Sequence, residues 1–109
     1  MKKGAIKGFK GYNKDLTCRD FKYEIGKEYE TTEKIKACES GFHFCENPID
    51  VLKYYPPTQA RFTEVEGSGN IDTEINGDSK ISVSKIKIGV ELSLQSLIEN
   101  GVKFIFERT

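Results

Sequence analysis

Short alternations of apolar and polar residues, cut by glycine and proline, run the length of the chain. The first, AIKGFKGYNKDLTC (5–18), sets Ala5 or Ile6 against Lys and Gly and turns at Tyr12-Asn13-Lys14-Asp15, which predicts a strand leaving a turn. Its glycines permit close backbone approach. In FKYEIGKEYETTEK (21–34), Phe21, Tyr23 and Ile25 alternate with Lys22 and Glu24, the signature of a half-exposed strand broken at Gly26. IKACESGFHFCEN (35–47) continues the theme. A strand there puts Phe42 and Phe44 on one face and Gly41, His43 and Cys45 on the other.

Helix signals interrupt this pattern twice. Asn47 accepts a hydrogen bond as N-cap, Pro48 is preorganised for the first helical position, and Asp50 suits the positive end of the helix dipole. A helix over 48–55 follows, with Val51, Leu52 and Tyr55 as its buried stripe. Pro56-Pro57 stops it, because neither proline has an N–H to donate and the first disfavours helical backbone at Tyr55. Beyond it, RFTEVEG (61–67) reads as a strand and the Gly/Asn/Asp-rich run from Gly67 to Asp78 as a connection. In SKISVSKIKIG (79–89) Ile81 and Val83 keep one phase and Ile86 and Ile88 the other, so a bulge or two strands is expected. ELSLQSLIENG (91–101) predicts a short helix capped by Ser93 and stopped by Gly101, and VKFIFE (102–107) a final strand. Strands dominate and two short helices interrupt them: the fold class is α+β.

Composition narrows the picture. At 109 residues, one hydrophobic core and therefore one domain, 1–109, is expected. Seventeen Lys+Arg balance seventeen Asp+Glu, so no net field draws the chain to nucleic acid or to an anionic membrane. No apolar run reaches membrane-spanning length, and the Met-Lys-Lys start has no apolar segment behind it, which places the protein in a cytoplasm. Three cysteines without a secretory signal predict free thiols. Cys38-x4-His43-x-Cys45, with Cys18 as a fourth ligand, lacks the paired knuckle of a structural zinc site. Residues 43 and 45 on one strand also stand about 6.6 to 6.8 Å apart, too far for easy chelation, so no metal is predicted. His43 and Cys45 share a face but have no third group to orient them as a nucleophilic pair. A lone histidine on a strand is first of all a packed histidine, and Tyr54 and Tyr55 are first of all core and rim aromatics.

The central stretch nevertheless carries a resemblance. Gly41-Phe42-His43-Phe44-Cys45 leads into the helix, Tyr54 follows Gly41 by thirteen positions, and Glu64-Val65 and Gly69-Asn70 come next. Over residues 41–71 this resembles the poly(ADP-ribose) polymerase and diphtheria-toxin-like branch of ADP-ribosyltransferases. There, a Gly-apolar-Tyr-Phe-Ala strand leads into a short helix with a tyrosine at the same spacing. The chain is also similar to small bacterial and phage proteins sharing a Gly-Phe-His-x-Cys segment and a later Asp-Ser-Lys. The resemblance implies a small split antiparallel or mixed sheet with an ADP-ribosyltransferase-like core, carried by a phage or mobile element, with an anti-defence role among its uses.

It further implies a cleft for NAD, with Gly41, His43 and Tyr54 as cofactor-binding residues and Asp78 as the catalytic acid. Cleavage of nicotinamide from NAD passes through an oxocarbenium-like ribosyl cation, which needs an aromatic face for the leaving ring and a carboxylate for the ribose. The family's glutamate corresponds here to Asp78, one carbon shorter, and its His-Gly near the first strand to Lys7-Gly8 or Lys10-Gly11. These departures favour a binding module with a degenerate cleft for a partner protein or a nucleotide-derived ligand. The alternative is an active ADP-ribosyltransferase that uses NAD to modify a protein or nucleotide.

Overall fold

The computed structural model describes residues 5–19, 21–32, 40–73 and 79–108. Its elements in chain order are β1 (Ile6–Asn13), β2 (Thr17–Cys18), β3 (Phe21–Lys22), β4 (Glu28–Glu30), β5 (Phe42–Cys45), α1 (Pro48–Val51), β6 (Ala60–Thr73), β7 (Lys80–Leu92) and α2 (Leu94–Arg108). β2 and β3 form a small hairpin, and the other strands form one sheet in the order β4-β7-β5-β1-β6. Every pairing is antiparallel, and β6 also pairs with β7, so the sheet returns on itself through β1, β6, β7 and β5. The α+β class and antiparallel pairing agree with the sequence. The sheet, though, is a closed ring of strands, where a split sheet was expected.

Inside the ring lie Phe42 and Phe44 of β5 with Val65, Ile81, Val83, Ile86 and Ile88. Phe44 decides two sequence choices. A Cβ at Gly67 would stand 2.5 Å from Phe44 Cε1, and one at Gly8 would also strike the Phe44 ring, so both strands must be bare where they pass it. Cys45, on the opposite face of β5, joins a second cluster with Val51, Phe62 and Leu97 beneath the helices. The shift of apolar phase in β7 has the cause expected of it: Gly69 and Asn70 of β6 stand opposite Ser84 alone, between the pairs Ser68↔Lys85 and Ile71↔Val83. Asn70 N–H donates to Ser84 Oγ at 2.8 Å across this bulge.

Three expectations change. The run from Gly67 is strand as far as Thr73, because β7 supplies a partner for its backbone that local composition does not reveal. VKFIFE is helix, and Gly101 lies inside α2, a 15-residue element. A Cβ at Gly101 would come 2.5 Å from Ile49 Cδ1, so the glycine lets α1 seat on α2 and does not stop the helix. The helix expected over 48–55 is a single turn, 48–51, followed by turn residues at 52–54. Its cap is as expected: Asn47 Oδ1 accepts from Ile49 N at 3.0 Å. Ser93 likewise caps α2, its Oγ accepting from Ser96 N at 3.1 Å. Among the described residues no helix is long and apolar enough to cross a membrane.

Candidate functional site

β5 is buried on both faces, and its outer face carries His43 into the wall of a cavity of about 280 Å³. Strand β1 contributes Lys10 to this cavity, the end of β2 contributes Cys18 and the turn after it Arg19, the turn after α1 contributes Tyr54 and Tyr55, and β7 contributes Lys80. A neighbouring cavity of about 390 Å³ is lined by Gly41, Phe21, Tyr23 and Glu30, and again by Lys10, Cys18, Arg19 and His43. Those last four side chains form the wall between the two spaces. His43 and Tyr54 therefore share one cavity, and Gly41 and His43 the other. Gly41 adopts φ 89°, a left-handed conformation that glycine tolerates at the entry to β5. Asp78 and Cys38 lie outside the described residues.

α1 is fixed to this wall by Ser79, the residue before β7. Asp50 Oδ2 accepts from Ser79 N at 2.9 Å and from Ser79 Oγ at 2.8 Å, while Asn47 N–H donates to Ser79 Oγ at 2.8 Å. In the Asp-Ser-Lys segment, then, Ser79 holds the helix start, and the next residue, Lys80, places its Nζ 4.5 Å from the centre of the Tyr54 ring. Tyr54 is 43% exposed, a ring with a cation on one face and solvent within reach. Tyr55 turns inward, and its hydroxyl donates to Cys18 Sγ at 2.9 Å.

Lys10 is the residue that strand periodicity concealed. It is 3% exposed, and its Nζ donates to the His43 carbonyl oxygen at 2.5 Å and approaches Cys18 Sγ at 3.6 Å. The rings of Tyr12 and Tyr23 stand 5.7 and 5.0 Å from the same nitrogen. Burial holds the ammonium below its usual pKa; Cys18 opposes that shift and Lys80 adds to it. Magnitudes agree with burial prevailing, since removing an ammonium from water costs several kcal/mol and each ring returns about 0.5 to 2.

His43 is 8% exposed, and burial, followed by the charges of Lys10, Lys80 and Arg19, pushes its pKa down to about 4; the Ser40 carbonyl acts the other way. The imidazole is therefore neutral at pH 7. Arg19 Nη1 lies 3.3 Å from Nδ1. The other ring nitrogen, Nε2, is buried and has no hydrogen-bond partner among the described residues. An unmatched buried polar atom costs about 1 to 3 kcal/mol. None of the side chains lining the 280 Å³ cavity is a carboxylate among the described residues.

Fold and site together define a small α+β protein with a closed antiparallel sheet and a cationic, aromatic cleft against β5. The chain belongs to the family described as Domain of unknown function (DUF7666), which matches residues 6–100 and so includes every cleft residue named above. Comparison with curated proteins and with solved structures finds no match.

Proposed function

We propose that this chain is a binding module whose cleft takes a nucleotide-derived ligand, with a degenerate ADP-ribosyltransferase-like core as its origin. The observation that supports this reading is the meeting of His43 and Tyr54, separated in sequence and chosen by the resemblance, with Lys10, Arg19 and Lys80 around one cavity. Phosphate oxygens suit the cations, and a flat base or ring suits Tyr54. The spaces of about 280 and 390 Å³ on either side of the shared wall are of the size that a ring and a sugar phosphate require.

The cleft favours one part of NAD over another. The Tyr54 face that would hold a pyridinium already carries the Lys80 ammonium, so a cationic ring is a poor fit and an anionic ligand, which Lys80 itself attracts, a good one. ADP-ribose should thus bind at least as well as NAD. Thermal unfolding with each nucleotide tests this, because a ligand specific to the folded state raises Tm by mass action. Tyr54→Ala and Lys80→Ala should each remove most of the shift. No shift with either nucleotide at millimolar concentration would dispose of the reading.

A further inference from the structure

Phosphate attraction alone does not account for where Lys10 sits. A lysine whose only purpose was phosphate attraction would sit at the rim, as Lys80 does, with its charge hydrated. Lys10 instead brings a desolvated nitrogen to the wall shared by both cavities. Its Nζ donates to the His43 carbonyl oxygen and approaches Cys18 Sγ, which fixes the nitrogen at that wall.

We propose that Lys10 forms an imine with a phosphorylated aldehyde or reducing sugar held in the cleft. This deepens the binding reading and rests on it, since the same cations anchor the phosphate. In the step, the Lys10 Nζ lone pair attacks the carbonyl carbon, a C–N bond forms and the C=O π electrons move to oxygen. A proton passes from nitrogen to that oxygen, giving a carbinolamine. Loss of the hydroxyl with the second nitrogen proton, as water, leaves the C=N bond. Amine and aldehyde yield imine and water, with no oxidant or reductant.

Two conditions that make a lysine nucleophilic meet at this nitrogen: burial in an apolar wall and another cation nearby, Lys80. Each unit by which the pKa falls gives about tenfold more free amine at neutral pH. The groups facing Lys10 from every packed element are Tyr12 of β1, Cys18, Tyr23 beyond β3, His43 and Cys45 of β5, and Lys80 of β7.

The test traps the adduct on the intact chain. ADP-ribose, which has a free sugar C1, and glyceraldehyde 3-phosphate are each incubated with the protein and cyanoborohydride, and the modified lysine is located by peptide mass mapping. Lys10 should carry at least about tenfold more adduct than any other lysine. NAD, whose C1 is in a glycosidic bond, should give none. Lys10→Arg should abolish the adduct. Because mapping is done on the parent protein, a poorly folding variant does not weaken the result. Adduct spread over surface lysines, or none at Lys10 with either aldehyde, overturns the imine. The Tm shift in the same samples reports separately whether the cleft binds at all.

Discussion

Acidification should destabilise this protein through His43 before its surface carboxylates are fully protonated. In the folded chain the imidazole pKa stands at about 4, against 6.5 in a solvated chain, with burial as the first cause and the Lys10, Lys80 and Arg19 charges behind it. Between those two values the unfolded chain binds a proton that the folded chain refuses, so stability falls as pH drops below 6.5 and the loss levels off below 4. A difference of about 2.5 units corresponds to at most about 3.4 kcal/mol. About 1.4 of that would be gone by pH 5.5 and about 3 by pH 4. Because the ring lines two open cavities, water screens part of the effect, and about half of each figure is the expected loss. Set against a typical stability of about 5 to 15 kcal/mol, that is enough to move a urea midpoint.

The assay is urea unfolding at pH 7, 5.5 and 4 for the parent and for His43→Gln, which keeps polar atoms but does not titrate. Carboxylate titration is common to both, so the difference between the two curves isolates His43. The variant should be less stable at pH 7 and should close the gap on the parent as pH falls. Parallel curves, or a ring-proton titration by NMR centred near 6.5, would refute the buried neutral imidazole. Lys80→Met should raise the measured pKa by removing one of the three cations.

Gly67→Ala should destabilise by about 1 to 3 kcal/mol in thermal melts, since the added methyl meets the Phe44 ring inside a closed sheet, and a neutral result would mean that the ring is loosely packed. Asn47→Ala should cost about 0.5 to 2 kcal/mol by uncapping α1. Gly101→Ala should cost stability in the parent but gain up to about 1 kcal/mol when combined with Ile49→Ala, because helix propensity favours alanine once the clash is gone; equal costs in both backgrounds would make Gly101 a conformational requirement. Glu91→Gln should change stability by less than about 1 kcal/mol, because the Arg61–Glu91 pair, at 2.7 Å, lies on the surface.

What could be read from the sequence is what local chemistry fixes. Asn47-Pro48 starts a helix because one side chain accepts and the other has no N–H to lose, and no distant residue is needed to say so. The phase slip between Val83 and Ile86 announced a bulge because β-strand side chains alternate strictly, and the bulge lies on the partner strand at Gly69-Asn70. VKFIFE was misread because its apolar residues suit two periods. Val102 and Phe104 alternate like a strand, while Leu94, Leu97, Ile98, Val102 and Ile105 also recur at helical spacing, and the decisive contact, Ile49 on Gly101, joins segments about fifty residues apart.

The cleft divides along the same line. His43 and Tyr54 could be picked out because the motif that carries the resemblance is local, a strand and the turn after the helix that follows it. Lys10 could not: in IKGFKGYN it alternates with Phe9 as a solvated residue would, and only the arrival of β5 and the Cys18-Arg19 turn on that face buries it. A buried lysine leaves no local signature, because what makes it unusual is its surroundings. One clue was available, in that glycines at 8 and 11 flank Phe9 and Lys10 and mark β1 as a strand approached closely on both faces. Gly8 admits Phe44 and Gly11 admits Tyr55 and Val51. A lysine between two such glycines has packed neighbours on either side and little access to water. Its side chain must end either as a paired ion or as an amine whose proton is lightly held.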